Sequence, residues 1–248
     1  MKTRPILMSA PMVRAILDGS KTQTRRVAKV NNTDCKPGFI TPDAGFVPRT
    51  IDEHRKYCPY GQPGDRLWVK ETWRIGAWNH DLGAIAVDYR ADGECRKEWL
   101  EIPNDDDGEK FNKYWIQCTE DSEESGANVN GDGDYEWPVG DSPCRWRPSI
   151  HMPRWASRIT LEITAIRVER LQDISEDDAI AEGIEGLNEP TGGDDLQDYW
   201  RDYSDDTFPW LEAKPVESYQ TLWESINGAG SWALNPWVWV VEFTRVDK

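Results

Sequence analysis

The chain has 248 residues, is 38% hydrophobic and 30% charged, and carries a formal net charge of −16 with fourteen Trp residues, enough apolar area for a packed core. No apolar run approaches the roughly eighteen residues of a membrane span, and Met1-Lys-Thr-Arg-Pro-Ile-Leu7 has neither the apolar stretch nor the cleavage site of a signal peptide, so a soluble, cytoplasmic protein without membrane contact is expected. Five scattered cysteines with no Cys-x-x-Cys pair argue against a structural zinc site or a redox motif. A distant ligand set of Cys58, Cys144 and His151 stays as the alternative, and no metal or cofactor is expected.

Residues 6–8 read as a short strand, followed by an amphipathic helix that ends at Asp18. Ser9 suits its cap, Pro11 its first turn, and Met12, Ile16 and Leu17 its apolar stripe, while Gly19 supplies a left-handed stop. The run Gly19-Ser-Lys-Thr-Gln-Thr-Arg-Arg26 leaves this fixed helix end with Lys21, Thr24, Arg25 and Arg26 inside six positions. Spacing alone also fits a solvated basic turn. Residues 22–27 are extended, and residues 30–63, rich in Pro and Gly, read as a long loop. Gly64-Asp65 turns into a strand over residues 66–72 with Leu67, Val69 and Glu71 on one face, and residues 84–89 form another.

Charge is segregated along the chain. Residues 92–141 hold sixteen acidic and four basic side chains, residues 185–217 hold ten and two, and the remainder carries +4. Runs such as Asn104-Asp-Asp-Asp-Gly108 are expected in mobile loops with little to bury. Regular structure resumes in a strand over residues 159–168, with Ile159, Leu161, Ile163 and Ala165 on one face. A short helix follows, capped by Ser175 with Asp178 at the capping-box position and ended by Gly183. A helix over residues 216–226 lies between Pro215 and Gly228, and a nearly continuous apolar strand spans residues 236–244. The order favours one α+β domain over residues 1–248, a small β-barrel with flanking helices and acidic loop insertions at about 92–141 and 185–217.

Gly19, Lys21 and Arg26 match the G-x-K-x-x-x-x-R pattern of the ASCH domain, a PUA-like barrel associated with RNA. Gly64-Asp65, Leu161–Ala165 and Trp239–Phe243 follow in the order that fold requires, and the whole chain resembles the longer ASCH proteins of bacteriophages and prophages. Many ASCH proteins carry Glu where this chain has Thr24. The run Lys21-Thr-Gln-Thr-Arg-Arg26 instead resembles the K-T-x-T-x-R of the small bacterial N4-acetylcytidine amidohydrolases. That resemblance implies catalytic roles for Lys21 and Thr24, and for a Glu late in the helix after the long strand, which alignment places at Glu182. Those enzymes are less than half this length and lack both acidic segments.

Amide hydrolysis needs a nucleophile, a proton carrier and stabilisation of the carbonyl oxygen. Thr24 offers the hydroxyl, and Lys21 is its base if burial and the neighbouring Arg25 and Arg26 bring the amine below its usual value of about 10.4. The competing reading keeps Lys21 charged, binding phosphate or a carboxylate. Alternation puts Thr24 and Arg26 on one strand face, so Lys21 joins Thr24 only from the turn before the strand, with Arg26 then available to the base carbonyl or the oxyanion. Glu182 sits in a last helical turn, where the carbonyl-rich end disfavours negative charge, with no cation three or four residues before it. It reads as a general acid or as an exposed surface carboxylate.

Of the aromatic residues, Trp68 or Trp73 is the candidate for stacking a base, while alternation assigns Trp237 and Trp239 to the core. Glu71 and Glu242 read as inward carboxylates for a base edge or as partners of an Arg. The leading expectation is hydrolysis of an acylated cytidine-type nucleoside by Lys21, Thr24 and Glu182, with Arg25, Arg26, Trp68 and Glu71 binding the substrate. The alternatives are a non-catalytic module that binds RNA or a modified base, and a phage accessory protein whose acidic insertions bind a protein partner.

Overall fold

Alternation on strands and a 3.6-residue stripe on helices set the elements of this chain. The computed structural model describes residues 1–28, 58–95, 98–103, 105, 108–190, 196–204, 210–211 and 214–246, so most of the loop expected over residues 30–63 lies outside the described residues. Among the described residues, helices α1 (Ala10–Asp18), α2 (Glu109–Ser125), α3 (Glu176–Ala181) and α4 (Pro215–Asn227) combine with thirteen strands in a mixed α+β architecture. Strands β1 (Thr3–Leu7), β2 (Gln23–Val27), β3 (Arg66–Lys70), β9 (Thr160–Arg170) and β13 (Trp237–Val246) form one sheet in the order β1-β3-β9-β13-β2. The remaining strands form sheets of three, three and two, and no closed barrel is present among the described residues. No helix among them is long and apolar enough to cross a membrane.

The chain divides into two compact units, one of residues 1–4, 15–67 and 161–248, the other of residues 5–14 and 68–160. In the first unit β13 runs antiparallel to β2, with Val241 opposite Thr24 and Val240 opposite Arg25. Leu171, Ala179, Tyr219, Leu222, Val238 and Val240 are among the residues of its core. The side chains that β13 buries are Val238, Val240, Val241 and Phe243, while Trp237 and Trp239 are half-buried, a correction to their expected core placement. The Arg170 guanidinium lies 4.4 Å from the Trp237 ring centre. Burial along β9 changes parity, from Leu161 and Ile163 to Ile166 and Val168, so Ala165 leaves the buried face expected of it. Residues 185–217 contribute a further sheet of β10 (Gly186–Pro190), β11 (Leu196–Arg201) and β12 (Trp210–Leu211).

In the second unit β4 (Trp73–Asn79), β5 (Ala84–Tyr89) and β6 (Leu100–Glu101) form a sheet. Its core joins Trp73, Ile75, Val87 and Tyr89 to Phe111 and Cys118 of α2. The acidic segment over residues 92–141 is thus not a set of loops with little to bury. Phe111, Tyr114, Trp115 and Cys118 recur at helical spacing and give α2 one apolar face, which a charge count over the whole segment conceals. Asp105 accepts the backbone N–H groups of Lys110 and Phe111 at 2.8 Å each, and Gly126 ends the helix in a left-handed conformation. Trp73 is a core residue at 1% exposure, edge-on to Tyr114 and Trp155, and so is excluded as a base-stacking surface.

A packed α2 makes a direct prediction. Phe111→Ala is expected to cost about 3–5 kcal/mol, whereas Ile116→Ala, at an exposed position one turn on, stays within about 0.5 kcal/mol. Urea unfolding of the two variants measures both, and equal effects would mean that the helix is not anchored through this face.

Candidate functional site

The helix stop at Gly19 is made with φ of 87°, and Lys21 follows in the turn ahead of β2. Its backbone N–H donates to the Ala15 carbonyl at 2.9 Å, and its backbone forms an isolated antiparallel bridge with Glu182. Thr22 N–H donates to the Ala181 carbonyl at 2.9 Å, and Phe243 N–H donates to the Thr22 carbonyl at 2.8 Å. The end of α1, the entry to β2 and the end of α3 are thereby stitched together through main chain. Ser175 caps α3 by accepting from Asp178 N–H, as its sequence position indicates.

Glu182 is the residue directly after α3, and its carboxylate is buried. The Lys21 amine donates to Glu182 Oε2 at 2.8 Å and to the Glu182 carbonyl at 2.7 Å. Arg25 Nη1 donates to Glu182 Oε1 at 3.1 Å, so both carboxylate oxygens accept from cations. In this geometry Glu182 is an acceptor that holds two cations and is not an exposed surface residue. Gly183 follows with φ of 78°, and a Cβ there would lie 2.7 Å from Lys21 Cβ and 2.8 Å from Ala15 Cβ. Only glycine gives the backbone both this conformation and this approach.

The Lys21 side chain has 0% exposure. Burial pulls its amine below the usual lysine range and outweighs the opposing effect of Glu182, with Arg26 and Arg25 adding to the depression. Thr24 is buried three residues further on, and Arg26 is half-buried. Arg25 is the fully covered cation of the strand, and it also donates to Glu169 at 2.5 Å and to Asp178 at 2.9 Å. Arg167 donates to Glu169 at 2.8 Å, to Asp178 at 2.6 Å and to Glu242, which identifies Glu242 as an ion-pair partner. Burial works against the charged form of Asp178, but Arg167 and Arg25 overcome it and hold the carboxyl below its ordinary value. Tyr219 of α4 places its ring centre 6.0 Å from the Arg25 guanidinium, and burial, then Glu182, push its phenol well above its usual range.

The structure thus brings Lys21, Arg25 and Glu182 into contact, with Thr24 on the same buried strand. Glu169, Arg167, Asp178 and Tyr219 complete the network and escaped sequence reasoning. Arg167 and Glu169 alternate with the buried Ile166 and Val168, a legible sign of a polar face on β9. Nothing local marks Tyr219. Trp68 and Glu71 belong to the other unit. Glu71 is 1% exposed and receives two hydrogen bonds of 2.9 Å from Arg158, so it is an ion-pair partner and not a free carboxylate for a base edge. Trp68 is half-buried, with the Lys70 amine 5.5 Å and the Arg154 guanidinium 5.8 Å from its ring centre. No group of three or more His, Cys, Asp or Glu among the described residues is placed to hold a metal ion.

Comparisons with family models, with curated proteins and with solved structures give no match.

The buried pair dictates a pH-dependent outcome. Glu182→Gln leaves an ammonium without its counter-ion and is expected to cost about 3–5 kcal/mol near neutrality. In the variant the folded chain releases the proton while the unfolded chain keeps it up to about 10.4, so stability rises with pH and the gap to wild type narrows. Urea midpoints from neutral to alkaline pH test this; a gap independent of pH means that the Lys21 amine is not what Glu182 stabilises.

Proposed function

We propose that this chain is an ASCH-type amidohydrolase that removes the acyl group from an N4-acylated cytidine-type nucleoside. One observation carries the reading: a lysine amine with its proton affinity lowered by burial, fixed by Glu182, in the turn that leads into the strand bearing Thr24. A PUA-like barrel as the parent fold is supported by the five-stranded sheet. Each of the four sequence blocks that resemble ASCH domains falls at or on one of its strands, β2, β3, β9 or β13.

In this mechanism the Thr24 hydroxyl oxygen attacks the acyl carbon and its proton passes to the neutral Lys21 amine. The C–N bond to the exocyclic nitrogen then breaks, and Lys21 returns the proton to the departing amine. Water, deprotonated by the same amine, then adds to the acyl carbon; the C–O bond to Thr24 breaks, Lys21 returns the proton to the Thr24 oxygen, and the acyl group leaves as a carboxylic acid. Glu182 orients the amine, while Arg26, on the Thr24 face of β2, supplies positive charge near the developing oxyanion. A second reading is favoured by the complete burial of Lys21: the ion pair is a clamp in a non-catalytic module that binds a modified base or RNA.

Incubation of the purified protein with N4-acetylcytidine and longer N4-acyl homologues, followed by mass spectrometry, separates the two. Turnover is expected to rise with pH as the Lys21 amine loses its proton, with an apparent value below the ordinary lysine value of about 10.4. Thr24→Ala and Lys21→Arg are expected to lower it by at least about a hundredfold with the fold intact, since Arg keeps the charge but is not a usable base. Binding without turnover at every pH selects the module, and full activity in Lys21→Arg overturns the catalytic assignment.

A further inference from the structure

The second unit covers several of its aromatic faces with its own cations. The guanidinium carbon of Arg74 lies 4.6 Å from the Trp146 ring centre, that of Arg147 lies 5.3 Å from Trp73, and that of Arg158 lies 4.1 Å from Tyr89. One group of rings is treated differently. Trp78, Trp115, Tyr135 and Trp137 line a cleft of about 980 Å3 between the end of β4, helix α2 and the hairpin of β7 (Asn128–Val129) and β8 (Tyr135–Glu136). Among the described residues no Lys or Arg stands over any of the four, and none lines the cleft.

Among the described residues, charge in the cleft has a single sign. Asp81, Asp134 and Glu136 line it alongside the rings. The rings are also held in place. Trp137 Nε1 donates to the Gly76 carbonyl at 2.8 Å, and its ring centre is 5.3 Å from that of Trp78 at an interplanar angle of 55°. On the other side Trp115 sits 5.2 Å from His80, edge-on. The hairpin that carries Tyr135 and Glu136 is braced by Asn130, whose Oδ1 accepts from Asp132 N–H and Asp134 N–H at 2.9 Å each and whose Nδ2 donates to Glu136 at 3.2 Å. All four rings are half-buried, so each keeps part of its surface open while its position is fixed.

We infer that this cleft binds a small organic cation with apolar substituents, of the alkylammonium class. Ring faces carry negative electrostatic potential and attract a desolvated cation, the alkyl groups match the apolar ring surfaces, and the three carboxylates supply the counter-charge. The volume lies within the range of small-molecule sites. Neutral ligands would leave the carboxylates unanswered, and anions would be repelled. The inference stands apart from the reading of Lys21, since every residue in it belongs to residues 77–138.

The test compares choline with 3,3-dimethylbutan-1-ol, which has the same shape without the charge, by calorimetry and Trp fluorescence on the full chain at low salt. Saturable choline binding is expected, with at least about tenfold preference over the neutral isostere. Trp137→Ala is expected to abolish it, and Asp81→Asn, at an exposed position that leaves packing untouched, to weaken it about threefold with a smaller salt dependence. Equal affinity for both probes, or no saturable choline binding up to about 10 mM, overturns the inference.

Discussion

An ammonium shut away from water against a carboxylate 161 residues distant in sequence governs the arrangement of the first unit. Neither charge is tolerated alone in such a place, and the attraction between them offsets desolvation only when geometry is closely held. The surrounding structure supplies that geometry. Main-chain hydrogen bonds tie the Lys21 turn to the end of α3, Gly183 permits the two segments to approach, and Arg25 occupies the second oxygen of Glu182. Arg25 in turn recruits Glu169 and Asp178, and through them Arg167. A network that began as one buried pair therefore fixes the relative positions of β2, β9 and α3.

Much of this was legible because the relevant signals are local. The stop at Gly19 and the Ser175 cap each express a rule that operates within a few residues. Parity set a condition on Lys21, which joins Thr24 only from outside a continuous strand, and Lys21 does lie ahead of β2, in an isolated bridge with Glu182. Glu182 stood out because it breaks the helix-dipole rule, yet its partners come from a distant segment and no periodicity announces them. Two misreadings have a common origin in averaging. A charge total over residues 92–141 hid the apolar face of α2, and unbroken alternation along β9 and β13 hid the parity change near Ala165 and the side on which Trp237 and Trp239 lie.

Acidity in this chain is therefore compatible with order. Asp105 serves the first turn of α2, Asp121 accepts from Arg145 at 2.6 Å, and Asp88 accepts from Arg74 at 3.0 Å in space that only Gly76 leaves open. Carboxylates that a composition count groups together divide into those that cap, those that pair, and those left facing an aromatic cleft. The distinction matters because a capping or paired carboxylate has already spent its charge on the fold.

Arg158 shows how such an arrangement constrains descent. Its guanidinium forks onto buried Glu71, reaches Asp92 with two further bonds of 2.9 Å and covers Tyr89 with its face. Lysine has neither the fork nor the flat face, so the conservative codon change is not conservative here. Loss of Arg158 alone strands the Glu71 carboxylate in the interior, whereas joint replacement by apolar side chains of similar volume does not. Exchange of Arg158 is therefore expected to be tolerated better when Glu71 changes with it, so that the permissible route through sequence space at this site passes through two positions at once.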